Sequence, residues 1–133
     1  MKKGKITALC MVIATLCCAQ PAAAKHAHKE KEYQKAWCDA HGGVMEYRLP
    51  DGARVDCLTN EYAVEFDFAP KWAESIGQAL YYGIETGRKP AVVLIIEDPV
   101  KDRRYMARLE AVAIRHKLVV MQTSQTENGQ TAR

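Results

Sequence analysis

Arg54-Val55-Asp56-Cys57-Leu58-Thr59-Asn60-Glu61-Tyr62-Ala63-Val64-Glu65-Phe66-Asp67-Phe68 holds the pattern that decides the fold. Two runs rich in β-branched and aromatic residues flank the short polar segment Thr59-Asn60-Glu61. That arrangement predicts a β-hairpin, with strands over 53–58 and 62–68. With Asn60-Glu61 at the turn, Thr59 pairs with Tyr62 and Asp56 falls opposite Glu65. Period two then sends Val55, Cys57, Val64, Phe66 and Phe68 to one face. Asp56, Ala63, Glu65 and Asp67 share the other. Three carboxylates in one patch repel and raise one another's pKa unless a cation or a hydrogen-bond donor joins them. Asp56, Glu65 and Asp67 are therefore candidate ligands for a hard divalent ion such as Mg²⁺. A solvated sheet face would carry the same alternation.

Working outward, Val44 to Leu49 predicts a strand before the hairpin, and Pro50-Asp51-Gly52 supplies the intervening turn. Glu30 to Ala40 predicts a helix, with Tyr33, Ala36, Trp37 and Ala40 at three- and four-residue spacing and Gly42-Gly43 as the stop. Downstream, Pro70 suits the first turn of a helix that runs to about Thr86 and stops at Gly87. The apolar run Ala91 to Ile96 predicts a strand covered on both faces. Asp98-Pro99 opens a third helix with Met106, Leu109, Val112 and Ala113 on its inner stripe. Lys117 to Met121 predicts the last strand. The order α-β-β-β-α-β-α-β implies an α/β fold with a mixed sheet: a meander of three strands, then crossover helices to two more.

On the second helix, Lys71, Gln78 and Tyr82 fall on one stripe, within about 40° between neighbours. Trp72, Ile76, Ala79 and Leu80 form a separate apolar stripe. Lys71 follows the acidic strand closely enough for its long side chain to reach the carboxylates. A surface ion pair and half-buried packing of Tyr82 would also account for this stripe.

These residues and their order resemble the PD-(D/E)xK phosphodiesterase superfamily. The resemblance implies a restriction-endonuclease-like αβββαβ core followed by a further helix and strand. The family places an Asp on the second strand, matched by Asp56, and Glu-x-Lys on the third, where Glu65 matches the Glu. Some members carry Gln-x-x-x-Tyr on the next helix, matched by Gln78 and Tyr82, and some use a Glu from the first helix, where Glu30 or Glu32 could stand. The family's Lys position holds Asp67, and Lys71 is the candidate replacement. The resemblance implies a Mg²⁺-dependent nuclease. Asp56, Glu65 and the Phe66 carbonyl would hold the metal, Lys71 would position water or balance phosphate charge, and Gln78 and Tyr82 would contact substrate or brace the site. The alternative is a catalytically inactive member of the same fold that serves as a periplasmic binding or interaction module.

The first 24 residues stand apart. Met1-Lys2-Lys3-Gly4-Lys5 is basic, Ile6 to Ala19 is almost wholly apolar, and Ala22-Ala23-Ala24 offers a small-residue cleavage site. That order predicts a secretory signal peptide over 1–24. A single domain follows over 25–121, then a disordered polar tail over 122–133. The product would be periplasmic or secreted, with no stable membrane anchor. Removing Lys2, Lys3 and Lys5 takes the 19 Lys and Arg to 16, equal to the 16 Asp and Glu. A neutral total counts against strong non-specific nucleic-acid binding, although nucleic acid is the partner the resemblance implies. Cleavage also leaves two of the five cysteines, Cys38 and Cys57. In an oxidising compartment these suggest one disulfide; two buried thiols are the alternative.

Overall fold

The computed structural model describes residues 26–124, so the signal peptide expected over 1–24 and most of the expected tail lie outside the described residues. Helix α1 (Glu30–Ala40) leads into β1 (Val44–Arg48), β2 (Arg54–Leu58) and β3 (Tyr62–Phe68). A 3-10 turn (Ala69–Lys71) then opens α2 (Trp72–Thr86). Strand β4 (Lys89–Ile95), helix α3 (Pro99–His116) and strand β5 (Val119–Thr123) complete the domain. Gly87 ends α2 at φ 65°, in the left-handed region where glycine has no Cβ penalty. The Asp98 carboxylate caps α3 by accepting the N–H groups of Val100 and Lys101 at 3.2 and 3.1 Å.

The sheet order is β1-β2-β3-β4-β5. Strand β2 runs antiparallel to both β1 and β3, whereas β3, β4 and β5 are mutually parallel. Two crossovers in one direction along the sheet put α2 and α3 on the same face, because such connections share one hand. Val92 and Leu94 pack there with Ala79, Leu109 and Ala113. Helix α1 covers the other face, where Cys38 meets Cys57, Val64, Phe66 and Val93. This α+β arrangement of a five-stranded mixed sheet with three helices agrees with the mixed fold class expected from the element order.

Several boundaries and one face differ from expectation. Strand β4 begins at Lys89, because the Lys89 N–H donates to the Glu61 carbonyl at 3.0 Å and so extends the pairing with β3. Lys117 belongs to no strand; it closes α3 in the left-handed region at φ 53°, with the cap N–H donating to the Ala113 carbonyl, and β5 begins at Val119. Gln122 and Thr123, expected in the polar tail, pair with Leu94 and Ile95 in the sheet. The face change concerns Val55. It packs with Leu49, Ala63 and Tyr82 rather than with Cys57. Opposite this point Glu46 takes a left-handed backbone at φ 53°, and the β1–β2 pairing steps from Met45–Cys57 to Tyr47–Val55. The alternation rule fails where the ladder is interrupted.

Candidate functional site

The expected hairpin register holds. Cys57 pairs with Val64 and Leu58 with Ala63, which continues to Asp56 opposite Glu65. Beyond Cys57 the strands part. The Asp56 carboxylate there accepts the Phe66 N–H at 2.8 Å, in the place a strand carbonyl would otherwise fill. Because a strand residue's N–H and C=O leave on the same side, the Phe66 carbonyl faces the same seam.

Glu65 lies in this seam at 5% exposure. The Asp56 carboxyl group is its close neighbour in the seam. Burial raises Glu65 well above the ordinary carboxylate range, and the Asp56 charge adds to the effect. Burial raises Asp56 too, while the Phe66 N–H pulls it back. Glu65 Oε2 is buried with no hydrogen-bond partner among the described residues. An acceptor left this way costs free energy unless something satisfies it.

Asp67 shares the face but has its own partners. It accepts the Phe68 N–H at 2.9 Å and stands 3.7 Å from Lys71 Nζ. Burial lifts it to about 6, against the opposing Lys71 charge. The Lys71 side chain is 57% exposed on the 3-10 turn, so its ammonium bridges the buried acid and solvent. Tyr82 is buried behind the seam against Val55 and Ala63, and Gln78 Nε2 donates to its hydroxyl at 3.4 Å. Burial raises Tyr82, with added effect from the Glu65 and Asp56 charges, which puts its ring close to the acids. Gln78 is itself exposed.

Three further residues border the seam. Burial and the Asp56 charge raise Glu30, and Lys71 opposes them, so the start of α1 reaches the acids. Gln34, one turn on, donates to Glu30 at 3.1 Å, and its own Oε1 is buried without a partner among the described residues. Glu46 adds its charge to Asp56 while bridging Arg54 at 2.9 Å. Of these, the sequence suggested only Glu30. Glu30, Gln34 and Cys38 do recur at four-residue spacing, the signal that could have found Gln34. Glu32 instead pairs with His28 at 2.8 Å.

Among the described residues no three His, Cys, Asp or Glu side chains are gathered as a ready-made metal cage. The close pair is Asp56 with Glu65, and Asp67 is drawn to Lys71. Cys38 and Cys57 form a disulfide with Cα atoms 5.8 Å apart, which fastens α1 to β2 one residue from Asp56. Comparison with models of protein families, with curated proteins and with solved structures returned no match to this chain.

Proposed function

We propose that this protein is a metal-dependent phosphodiesterase of the PD-(D/E)xK type, exported to an oxidising compartment. One observation carries it: Asp56 and Glu65 face each other across a parted pair of strands, and a buried Glu65 oxygen has no hydrogen-bond partner among the described residues. A divalent cation such as Mg²⁺ fits this donor set, since it would balance the two carboxylates and satisfy the free oxygen. Asp56, Glu65 and the Phe66 carbonyl would hold it. The order helix, three-stranded meander, helix, strand supports the same kinship.

Bound Mg²⁺ would polarise a phosphoryl oxygen and acidify a water. The chain's own residues bind and orient. Without a cation, Asp56, Asp67 and Glu30 repel a phosphodiester, so the seam favours substrate only when their charge is balanced. Lys71, solvent-facing and anchored on Asp67, is placed to meet the phosphate. Tyr82, with Gln78 on its hydroxyl, braces the wall behind Glu65.

The basic opening, apolar run and small-residue site of 1–24 support export, as does a disulfide. No helix among the described residues is long and apolar enough to cross a membrane.

The test is a nuclease assay of the oxidised protein, residues 25–133, with Mg²⁺ or Mn²⁺. Asp56→Ala and Glu65→Ala should each abolish cleavage, and Lys71→Ala should reduce it about 10²-fold, as loss of one charge-stabilising donor does. Activity that survives both carboxylate substitutions overturns the assignment. A second reading, an inactive binding module of the same fold, is favoured by Asp67 standing where the motif has Lys. No cleavage of any nucleic acid, together with no metal-dependent change in melting temperature, would establish it over the first.

A further inference from the structure

The neutral total charge hides a segregation. Helix α3 carries five basic side chains, Lys101, Arg103, Arg104, Arg108 and Arg115, against Asp102 and Glu110. Asp102 is buried, and its carboxylate accepts the N–H groups of Glu97 and Asp98 at 3.1 and 3.0 Å. It therefore contributes to the loop before α3 rather than to the helix surface. At 100° per residue, Lys101, Arg104, Arg108 and Arg115 fall within an arc of about 60°, and Glu110 lies about 180° from Lys101. The four form a stripe about 21 Å long, at 1.5 Å per residue.

The stripe is also prepared for a ligand. The Arg104 guanidinium lies 4.6 Å from the centroid of the Tyr105 ring and Arg108 lies 5.8 Å from it, so one aromatic ring supports two planar cations. Among the described residues Arg104, Arg108 and Arg115 have no carboxylate within ion-pair range; only Lys101 does, with Asp98 at 2.9 Å. Elsewhere Lys35, Arg54, Lys71 and Lys89 each face an acid. Arg104 also donates to the Tyr105 hydroxyl at 2.7 Å, and arginines supported by a ring without an ion pair suit anions with paired oxygens. The stripe starts beside the catalytic candidates, because Lys101 lines one hollow with Phe68, Ala69 and Pro70, next to Lys71.

We propose that this face of α3 binds the phosphate backbone of a nucleic acid and leads it toward the carboxylate seam. The link to the seam rests on the phosphodiesterase reading; the stripe itself does not. An anionic membrane would need a continuous apolar flank. The exposed apolar residues of α3, Val100 and Ile114 at 87% and 81%, are about 21 Å apart, which favours the polymer.

The test is fluorescence polarisation with a labelled 20-nucleotide single strand in EDTA, over a range of salt. Four phosphate contacts predict a slope of log K against log salt of about −3. Arg104→Gln/Arg108→Gln/Arg115→Gln, folded by circular dichroism, should bind at least 10-fold more weakly with a slope near −1, as about one remaining contact implies. Lys35→Gln, on α1 at the opposite face of the sheet, should bind as well as the unsubstituted protein. Undiminished binding by the triple variant, no binding by the parent, or preference for phosphatidylglycerol vesicles over the oligonucleotide would each overturn the proposal. Retained binding without cleavage in Mg²⁺ or Mn²⁺ would remove the phosphodiesterase reading alone.

Discussion

Glu65 concentrates the tension in this molecule. A carboxyl group in a nearly closed seam beside Asp56 stays protonated at neutral pH, whereas in the unfolded chain it ionises. Folding must therefore take up a proton at this residue, which lowers stability at pH 7. Glu65→Gln keeps a donor toward Asp56 and removes that penalty. It should raise the melting temperature at pH 7.5 by about 4–8 °C, equivalent to about 1 kcal/mol for a domain of this size. It should also abolish any shift on adding Mg²⁺. Calorimetry with and without the metal checks both, and a melting temperature lowered by the substitution would contradict this account. The opposition of Asp56 and Glu65 was legible in the sequence, because it follows from hairpin register alone. The raised pKa of Glu65 was not, since it depends on how deeply the seam is buried.

Among the elements, α1 and β2 are joined covalently. The Cys38–Cys57 bond spans 19 positions, and opening such a loop costs about 3 kcal/mol. Gly43 lies directly against it: a Cβ there would collide with Cys57 Sγ and come within 2.8 Å of Cys38 Sγ. Gly43→Ala should therefore lower the melting temperature of the oxidised protein far more than that of the Cys38→Ala/Cys57→Ala variant. Equal losses in the two backgrounds would show that the glycine serves another purpose. The sequence offered Gly42-Gly43 only as a helix stop. Gly42 fills that role at φ 62°, while Gly43 provides clearance for the sulfurs.

At the scale of the whole molecule, two populations of carboxylates set the pH dependence. Asp67, lifted to about 6 by burial, and the Asp56–Glu65 pair bind protons more readily folded than unfolded. Their contribution favours the folded state at low pH and fades as pH rises through their folded values. Asp51, Glu61 and Asp98 are lowered by bonds to Tyr81, Lys89 and Lys101, so their contribution is lost as pH falls below about 4. Without divalent metal the melting temperature should rise from pH 7.5 to a maximum near pH 5, then fall. Saturating Mg²⁺ should flatten the upper limb, because a bound cation replaces the proton. A melting temperature that climbs steadily from pH 5 to pH 7.5 in EDTA would refute the buried-acid account.

Alternation along Arg54 to Phe68, helical spacing in the three helices and the punctuation by Gly42, Gly87 and Asp98-Pro99 determined the element order, the hairpin register and the sharing of one face by Asp56, Glu65 and Asp67. These follow from backbone geometry within a few residues. Only the tertiary structure decided that Glu30, Gln34 and Glu46 border the seam, that Asp67 turns to Lys71, that Val55 changes face and that the arginines of α3 have no ion pair among the described residues. Such outcomes depend on where strands part and how helices cross them, and no local period encodes the meeting of side chains from separate elements.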